Sequence, residues 1–342
     1  MRIWKRSCSE TKGANWWWLI GVSLLACVAV MVASICLGVI PLTLEELVCA
    51  LSQGPGTGWE SSIVWYARLP RTLASVFAGA ALSASGAVLQ NVLANKLASS
   101  NVIGVNAGAG LGVTLCAAAG IISGWGISLA AFGGSLAVVL GIALFVRRAG
   151  VSRTTVILCG VALNSILNAM SESVSVLIPD ATTLGQEFRV GGFSSVTYAR
   201  LLPAMVLIIG ALLVLFTLCN ELDIVALGDE TAQGVGLPVR QIRVLFLVLA
   251  ALLAGAAVSF AGLLGFVGLI VPHLARRVVG NESRWLLPIC VIWGGEFVTA
   301  CDLLARLMFA PHELPVGILM SIIGGPVFMV LLLRYRGGHR ND

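Results

Sequence analysis

Long apolar stretches without a single charged residue are the dominant pattern along this chain. A helix that crosses the hydrocarbon core of a bilayer needs about 20 apolar residues. Most of the charge-free stretches accommodate one such crossing, and residues 97–146 accommodate two, with a turn at Ser123–Gly126. Because the stretches do not alternate polar and apolar residues as transmembrane barrels do, they predict helices.

We therefore predict an all-α polytopic membrane protein in which residues 1–342 form one transmembrane domain. The eighth span is short and is interrupted by Pro272. The ten predicted spans lie near 16–40, 63–90, 97–118, 125–147, 154–178, 198–220, 243–263, 267–279, 285–308 and 315–334.

The composition agrees with this interpretation and excludes two other classes. Hydrophobic residues make up 58% of the chain and charged residues 11%, against about 25% charged in an average soluble domain. With a mean hydropathy of +0.98, the chain cannot cover a soluble globule with polar surface. Intrinsic disorder is excluded as well, because it requires low hydrophobicity and high charge.

The distribution of Lys and Arg predicts the orientation, since cytoplasmic loops carry an excess of both. With both termini in the cytoplasm, only five of the 21 basic residues lie outside: Arg68, Arg71, Arg189, Arg200 and Arg306. The net charge of +5 then reflects topology and not nucleic-acid binding. The first span is too long for a signal peptide and lacks a small-residue cleavage site, so we expect it to be retained. The nine cysteines and three histidines show no disulfide or metal-site spacing.

Two segments resemble each other. Ala78–Gly86 in the second span and Ala254–Gly262 in the seventh are identical at six of nine positions. Because these spans run in opposite directions, they predict an inverted repeat, which is common in transporters with a central pathway. The alternative is chance recurrence of small residues in a chain with 39 glycines. Gly104, Gly108 and Gly112 recur every four residues, which predicts close packing of the third span.

Several ordered motifs carry a family resemblance. They are 265–276, 302–306, 313–317 and 324–328 in the second half, and 68–71, 79–82, 86–90, 97–99 and 104–109 in the first. These blocks resemble the FecCD-type permease subunits of binding-protein-dependent type II ABC importers for iron complexes, haem and cobalamin. The resemblance covers about residues 40–334.

The resemblance implies a partner set. It comprises a second permease subunit, identical or paralogous, two cytoplasmic ATPases and an extracytoplasmic binding protein, and it places this chain in the cytoplasmic membrane. The chain has only three lysines, Lys5, Lys12 and Lys96, and none lies in a phosphate-binding GxxxxGK[ST] loop. We therefore expect no enzymatic activity and no cofactor on this chain, with ATP and Mg²⁺ bound by the ATPases.

The cytoplasmic loop 221–243 is the expected ATPase contact. Its family-like coupling segment includes Leu227, Gly228, Asp229, Ala232, Val235 and Gly236. We expect two short helices hinged at glycine, with Val235 and Leu237 inserted into a groove of the ATPase. The alternative is an ordinary interfacial helix.

Three external arginines, Arg68, Arg71 and Arg306, are the expected docking residues for the binding protein. A basic cluster suits acidic side chains on a partner, and in the family arginines at these motif positions hold glutamates of the binding protein. The alternative is an interfacial salt bridge such as Asp302–Arg306, worth only some tenths of a kcal/mol when exposed.

Asn164, Asn168 and Glu172 form one polar stripe on the fifth span, and the resemblance implies that this helix lines the translocation pathway. Polar residues within spans either line a pathway or bond to other helices, so interhelical hydrogen bonding is the alternative. The resemblance also implies a cytoplasmic gate formed by Asn95, Leu97 and the turn Ser152–Thr154.

The chain departs from the family pattern in two places. Lys96 stands where proline is usual, which affects the geometry of the gate. Arg189 replaces a residue in a stretch that is commonly aromatic, which indicates either an anionic substrate or a surface charge.

We expect the cargo to be a ferric siderophore, with haem and cobalamin as alternatives within the family. An ion-coupled secondary transporter would need midplane carboxylates, for which only Glu172 and Glu296 are candidates. A membrane-embedded enzyme would need a catalytic constellation, and His273 alone does not supply one.

Overall fold

A computed structural model describes residues 16–38, 42–55, 58–121, 123–149, 153–308, 310 and 312–337. Every regular element in these ranges is helical, in agreement with the predicted all-α class. In chain order, the helices are α1 (Trp16–Cys36), α2 (Leu44–Gln53), α3 (Trp59–Ser62), α4 (Leu69–Val92), α5 (Val105–Ala118), α6 (Gly124–Ala149), α7 (Arg153–Leu177), α8 (Asp180–Val190), α9 (Tyr198–Thr217), α10 (Cys219–Ala226), α11 (Asp229–Gly234), α12 (Val239–Ala261), α13 (Val267–Val279), α14 (Ser283–Leu307) and α15 (Val316–Gly337).

Ten of these helices lie at the positions of the ten predicted spans. Among the described residues, seven helices are long and apolar enough to cross a membrane: α1, α4 with its preceding turns, α6, α7, α9, α12 and α14. Helix α5 and the apolar stretch Val316–Val330 of α15 are shorter. Helix α13 has 13 residues, as expected for the short eighth span, and it continues through Pro272.

Helices α4 and α12 form the centre of the bundle. In their most apolar windows, 83% of the residues around α4 and 72% of those in α12 are buried, against 17% in α7. The small residues of α4 allow this burial, since they let neighbouring backbones approach closely. Ser85 on α4 donates a hydrogen bond of 2.8 Å to the carbonyl oxygen of Ala250 on α12. A rigid centre is thus surrounded by less buried helices.

The packing around these two helices agrees with an inverted repeat. Gly79 of α4 lies against Gly294 of α14, and its counterpart Gly255 of α12 lies against Ser135 of α6. The following helices also begin alike, because α5 and α13 each start after a residue with a left-handed backbone, Gly104 and Phe266 respectively. The two related segments therefore make equivalent contacts with different helices.

The predicted start of the third span is wrong by about two turns. Residues 93–104 form successive turns, and α5 begins only at Val105. The Asn95 side chain accepts a hydrogen bond of 2.9 Å from the Leu97 backbone, and Gly104 has φ +85°. A side chain bonded to its own turn and a left-handed residue both end helical geometry.

Sequence reasoning also missed the short helices α2, α3 and α8. For α2 the signal was present: Thr43 and Glu46 form a capping box, in which each side chain bonds to the backbone of the other residue. Helix α3 continues through a π-helical segment, Ile63–Arg68, into α4.

The close packing predicted from the glycine spacing in α5 is confirmed. A Cβ atom on Gly108 would lie 2.5 Å from the carbonyl oxygen of Gly134 on α6, and one on Gly112 would overlap the backbone at Ala130. Helices α5 and α6 are therefore in backbone contact at both glycines.

Candidate functional site

The three predicted docking arginines come together on one side of the bundle. Arg68, Arg71 and Arg306 line a cavity of about 440 Å³. Its other wall is formed by residues 194–197, which connect α8 to α9, and Glu313 precedes α15 at its edge. The cavity thus combines three basic side chains with one carboxylate.

Arg71 is held by two carboxylates. Its guanidinium donates to both oxygens of Asp302, at 3.0–3.2 Å, and to Glu313 at 2.7 Å. Asp302 is only 1% exposed, and it also lies 3.2 Å from the Nε atom of Arg306. The Asp302–Arg306 pair therefore exists, but it is buried, unlike the exposed pair considered from the sequence.

Arg68 and Arg306 point inward, toward the end of α1. Arg68 donates to the carbonyl oxygens of Ile35 and Cys36, at 2.6 and 3.0 Å. Arg306 donates to the carbonyl and the hydroxyl oxygen of Ser34, at 3.1 and 2.8 Å. The orphan carbonyls at a helix C-terminus are natural acceptors for basic side chains. Both arginines fasten α1 to the bundle, and their docking role stays a prediction.

The coupling segment has the predicted form of two short helices hinged at glycine. Helices α10 and α11 meet at Gly228, which has φ +125°. The side chains of Leu227 and Val235 are 72% and 65% exposed, whereas Ala232 is fully buried. Leu237, expected at the ATPase contact, instead packs against the core. Leu227 and Val235 are thus the exposed apolar residues beside the hinge.

Asp229 connects this hinge to two other helices, a contact that the sequence did not reveal. Its carboxylate accepts hydrogen bonds from Arg153 at 2.7 Å and from Arg243 at 2.5 and 2.6 Å. Burial alone would raise the pKa of the Asp229 carboxyl. The hydrogen bonds from Arg243 and Arg153 outweigh that effect and hold the pKa below its usual value. Asp229 is therefore ionised at neutral pH.

A second polar network, which the sequence did not predict, reaches α10 of the coupling segment. Arg276 at the end of α13 donates to the side chains of Gln90 and Asn91 on α4. Asn91 donates to the Ser283 hydroxyl, and Ser283 donates through its backbone and hydroxyl to Asp223 on α10. The clustering of polar residues at the ends of predicted spans was the available signal, but it did not identify partners.

The predicted pathway stripe lies on the most exposed spanning helix. Asn168 and Glu172 are exposed, and Asn164 donates a hydrogen bond of 2.8 Å to the carbonyl oxygen of Asn101. Asn164 thus bonds to the turns before α5, which is close to the alternative hypothesis of bonding between segments. Glu172 and Arg189 line a cavity of about 320 Å³ between α7 and α8, and Arg189 donates to Ser171 at 3.0 Å.

The gate residues fall in two places. Asn95 and Leu97 are joined in the turn before α5, with the Leu97 side chain exposed. Thr154 is exposed in the first turn of α7, and Ser152 lies outside the described residues. Their role as a gate stays a prediction.

Comparison with known proteins gives matches along most of the chain. The model of the FecCD transport family matches residues 25–334. The vitamin B12 import system permease protein BtuC of Klebsiella pneumoniae is 35% identical over 94% of each chain. The hemin transport system permease protein HmuU of Yersinia pestis is 36% identical over 84% of this chain and 90% of its own.

A solved structure matches as well. It is described as an inward-facing conformation of a metal-chelate type ABC transporter, and it superposes with a TM-score of 0.83 at 26% identity. The match covers 92% of this chain and 99% of the other. The family match over most of the chain and the two permease relatives lead to one conclusion. The chain belongs to the FecCD transport family and is an ABC importer permease.

Proposed function

We propose that this chain is the permease subunit that moves an iron–siderophore complex across the cytoplasmic membrane by alternating access, driven by separate ATPase subunits. The observation that carries the proposal is the similarity to two import permeases along nearly the whole chain. The two relatives are named for import of vitamin B12 and for transport of hemin, and both compounds are large metal chelates. A siderophore complex belongs to the same chemical class.

The exposed surfaces support the proposed partners. Leu227 and Val235 present apolar side chains beside the α10–α11 hinge, which suits insertion into a groove of an ATPase. The arginine-lined cavity on the other predicted side suits acidic groups of a binding protein. Helix α7 leaves most of its surface uncovered, which suits a pathway formed with a second permease subunit.

Arg189 supports an anionic cargo. It is one of five basic residues on the predicted external side, and it shares a cavity with Glu172 of the predicted pathway helix. A guanidinium favours carboxylate and other oxygen anions because it can donate two parallel hydrogen bonds. Iron chelates with peripheral oxygen anions suit this guanidinium. Haem, which carries two carboxylates, suits it as well, and cobalamin is the other competing cargo.

Uptake by the complete transporter in proteoliposomes tests the proposal. The permease, its ATPase and its binding protein would be supplied with ferric siderophores, haem or cobalamin. We expect ATP-dependent uptake of a ferric siderophore, reduced in the Arg189→Gln variant but not in Arg200→Gln. Uptake of cobalamin or haem alone would overturn the siderophore proposal. Uptake without the ATPase, driven by an ion gradient, would favour a secondary transporter.

A further inference from the structure

We infer that Arg153 is a positioning residue that transmits movement of the α10–α11 hinge to the predicted pathway helix α7. This inference rests on the proposed function, because it requires an ATPase that moves the hinge. Arg153 is the first residue of α7, and its side chain reaches both helices of the coupling segment. No other contact described above joins the hinge to the pathway helix.

The Arg153 guanidinium bridges the two sides of the hinge. Its Nη2 atom donates to the carbonyl oxygen of Val225 in α10 at 2.8 Å, and to the carboxylate of Asp229 in α11 at 2.7 Å. Gly228 lies between these acceptors. A change in the angle between α10 and α11 must therefore move the start of α7 or break a hydrogen bond to the guanidinium.

Arg243 holds the Asp229 carboxylate against α12. This residue belongs to α12, its side chain is 6% exposed, and it contacts both oxygens of Asp229. Because α12 is one of the two central helices, the Arg243–Asp229 pair holds α11 near the rigid part of the bundle. Charge-assisted hydrogen bonds of this kind are about twice as strong as neutral ones.

Within this chain, helix α7 has the smallest buried share of the seven described spanning helices. Only 17% of its apolar window is buried, against 72% for α12. Elements that move during function are usually those with few buried contacts, because their movement breaks the fewest contacts. Asp229 thus lies between a rigid helix and a movable one, and Arg153 is its bond to the movable one.

The second polar network makes a different connection. Asp223 in α10 accepts from the backbone and hydroxyl of Ser283, at 2.5–3.1 Å, at the start of α14. Helix α14 packs on the central helix α4. This connection ties α10 to the centre of the bundle, so it anchors the segment and does not lead to α7.

The test compares transport with ATP hydrolysis in the complete complex of permease, ATPase and binding protein. Arg153→Gln removes the charge that contacts Asp229. We expect it to keep the ATPase bound and active but to lower the cargo moved per ATP by about tenfold, within the usual range of coupling free energies. The matched control is Arg277→Gln, an exposed arginine in the last turn of α13 and outside the coupling segment, which should behave as the wild type.

Arg153→Lys provides the rescue. A lysine ammonium can pair with Asp229 but lacks the broad planar fork needed to bridge both acceptors, so its transport per ATP should lie between the wild type and Arg153→Gln. If Arg153→Gln folds poorly, Arg153→Lys is tested alone, and we expect it to move less cargo per ATP than the wild type.

Two results would overturn the inference. One is a cargo-to-ATP ratio in Arg153→Gln within about twofold of the wild type, below the usual range of coupling effects. The other is loss of the ATPase from the purified variant, which would show a role in assembly. Failure of the wild-type chain to bind any ATPase would instead refute the proposed function.

Discussion

At the scale of single residues, Arg243, Asp302 and Arg306 are buried charges that each pair with an opposite charge. Asp302 is almost completely buried, and two arginines surround it. Charges within membrane spans are costly unless they pair with each other. Removal of one partner leaves an uncompensated charge, whereas removal of the whole pair costs much less.

This argument predicts the effect of removing Arg71. Arg71→Ala should lower the free energy of unfolding by about 1–3 kcal/mol, somewhat less than for a fully broken buried pair, because Arg306 still faces Asp302. Addition of Asp302→Asn should increase the loss, because the buried Arg306 then loses its carboxylate partner. Thermal unfolding in detergent measures both effects.

Glu313→Gln is the matched control for Arg71→Ala. It removes the partly exposed partner of the same arginine, and such pairs contribute less than about 1 kcal/mol. A variant lacking Arg71 that unfolded no earlier than Glu313→Gln would contradict the importance of the buried pair.

At the scale of helices, small residues decide which elements touch. A Cβ atom on Gly79 would overlap the carbonyl oxygen of Gly294, and one on Gly86 would overlap that of Gly268. The sequence predicted close packing from glycine spacing, and it also revealed the repeat. It did not predict which helices meet, because contacts between distant residues leave no local pattern.

We therefore predict that Gly79→Ala is strongly destabilising. The methyl group has no space between α4 and α14, so the helices must separate, at a cost of about 1–3 kcal/mol. Gly133→Ala in α6 is the control, since nothing lies within 4 Å of its Cβ position, and there alanine should stabilise by up to about 1 kcal/mol. Thermal unfolding in detergent distinguishes the two, and equal stability of both variants would contradict the packing argument.

The α10–α11 segment leads to a prediction about assembly. Replacement of both Leu227 and Val235 by serine should weaken ATPase binding at least tenfold, because burial of each large apolar side chain contributes about 1.5–3 kcal/mol. Co-purification with the ATPase measures the effect. The exposed Gln233→Ser change within α11 is the control, and unchanged binding in the double variant would place the ATPase contact elsewhere.

At the scale of the whole molecule, the pattern of apolar stretches was enough to place ten helices. It worked because a helix that crosses a bilayer needs a long apolar segment with few charges. The pattern did not predict the turns at 93–104 or the short helices α2, α3 and α8. These segments are too short to cross a membrane and follow local capping and turn chemistry instead. Some site residues, including Asp229, were predicted from the sequence. The contacts of Asp229 with Arg153 and Arg243 are visible only in the structure.

The predicted orientation can be tested on a native side chain. Cys49 in α2 is exposed and lies between the first two spans, on the predicted external side. A membrane-impermeant maleimide should label it from outside intact cells. The Cys49→Ala variant should lose that labelling, and labelling that appeared only after the cells were opened would reverse the orientation.

The docking prediction is also a property of the whole molecule. If the binding protein contacts the arginine-lined cavity through acidic residues, its affinity should fall as salt rises from about 50 to 500 mM, because salt screens the attraction between two oppositely charged surfaces. Binding to the permease complex in lipid nanodiscs measures this directly. An affinity independent of salt would favour an apolar contact.

The position of α4 at the centre of the bundle has a consequence for biogenesis. Its Gly79 and Gly86 lie against α14 and α13, and Gly294 is synthesised 215 positions after Gly79. The ribosome therefore delivers the innermost helix early, long before the helices that cover it exist. Until translation nears its end, α4 must wait in the membrane with small-residue surfaces open to lipid or to the insertion machinery.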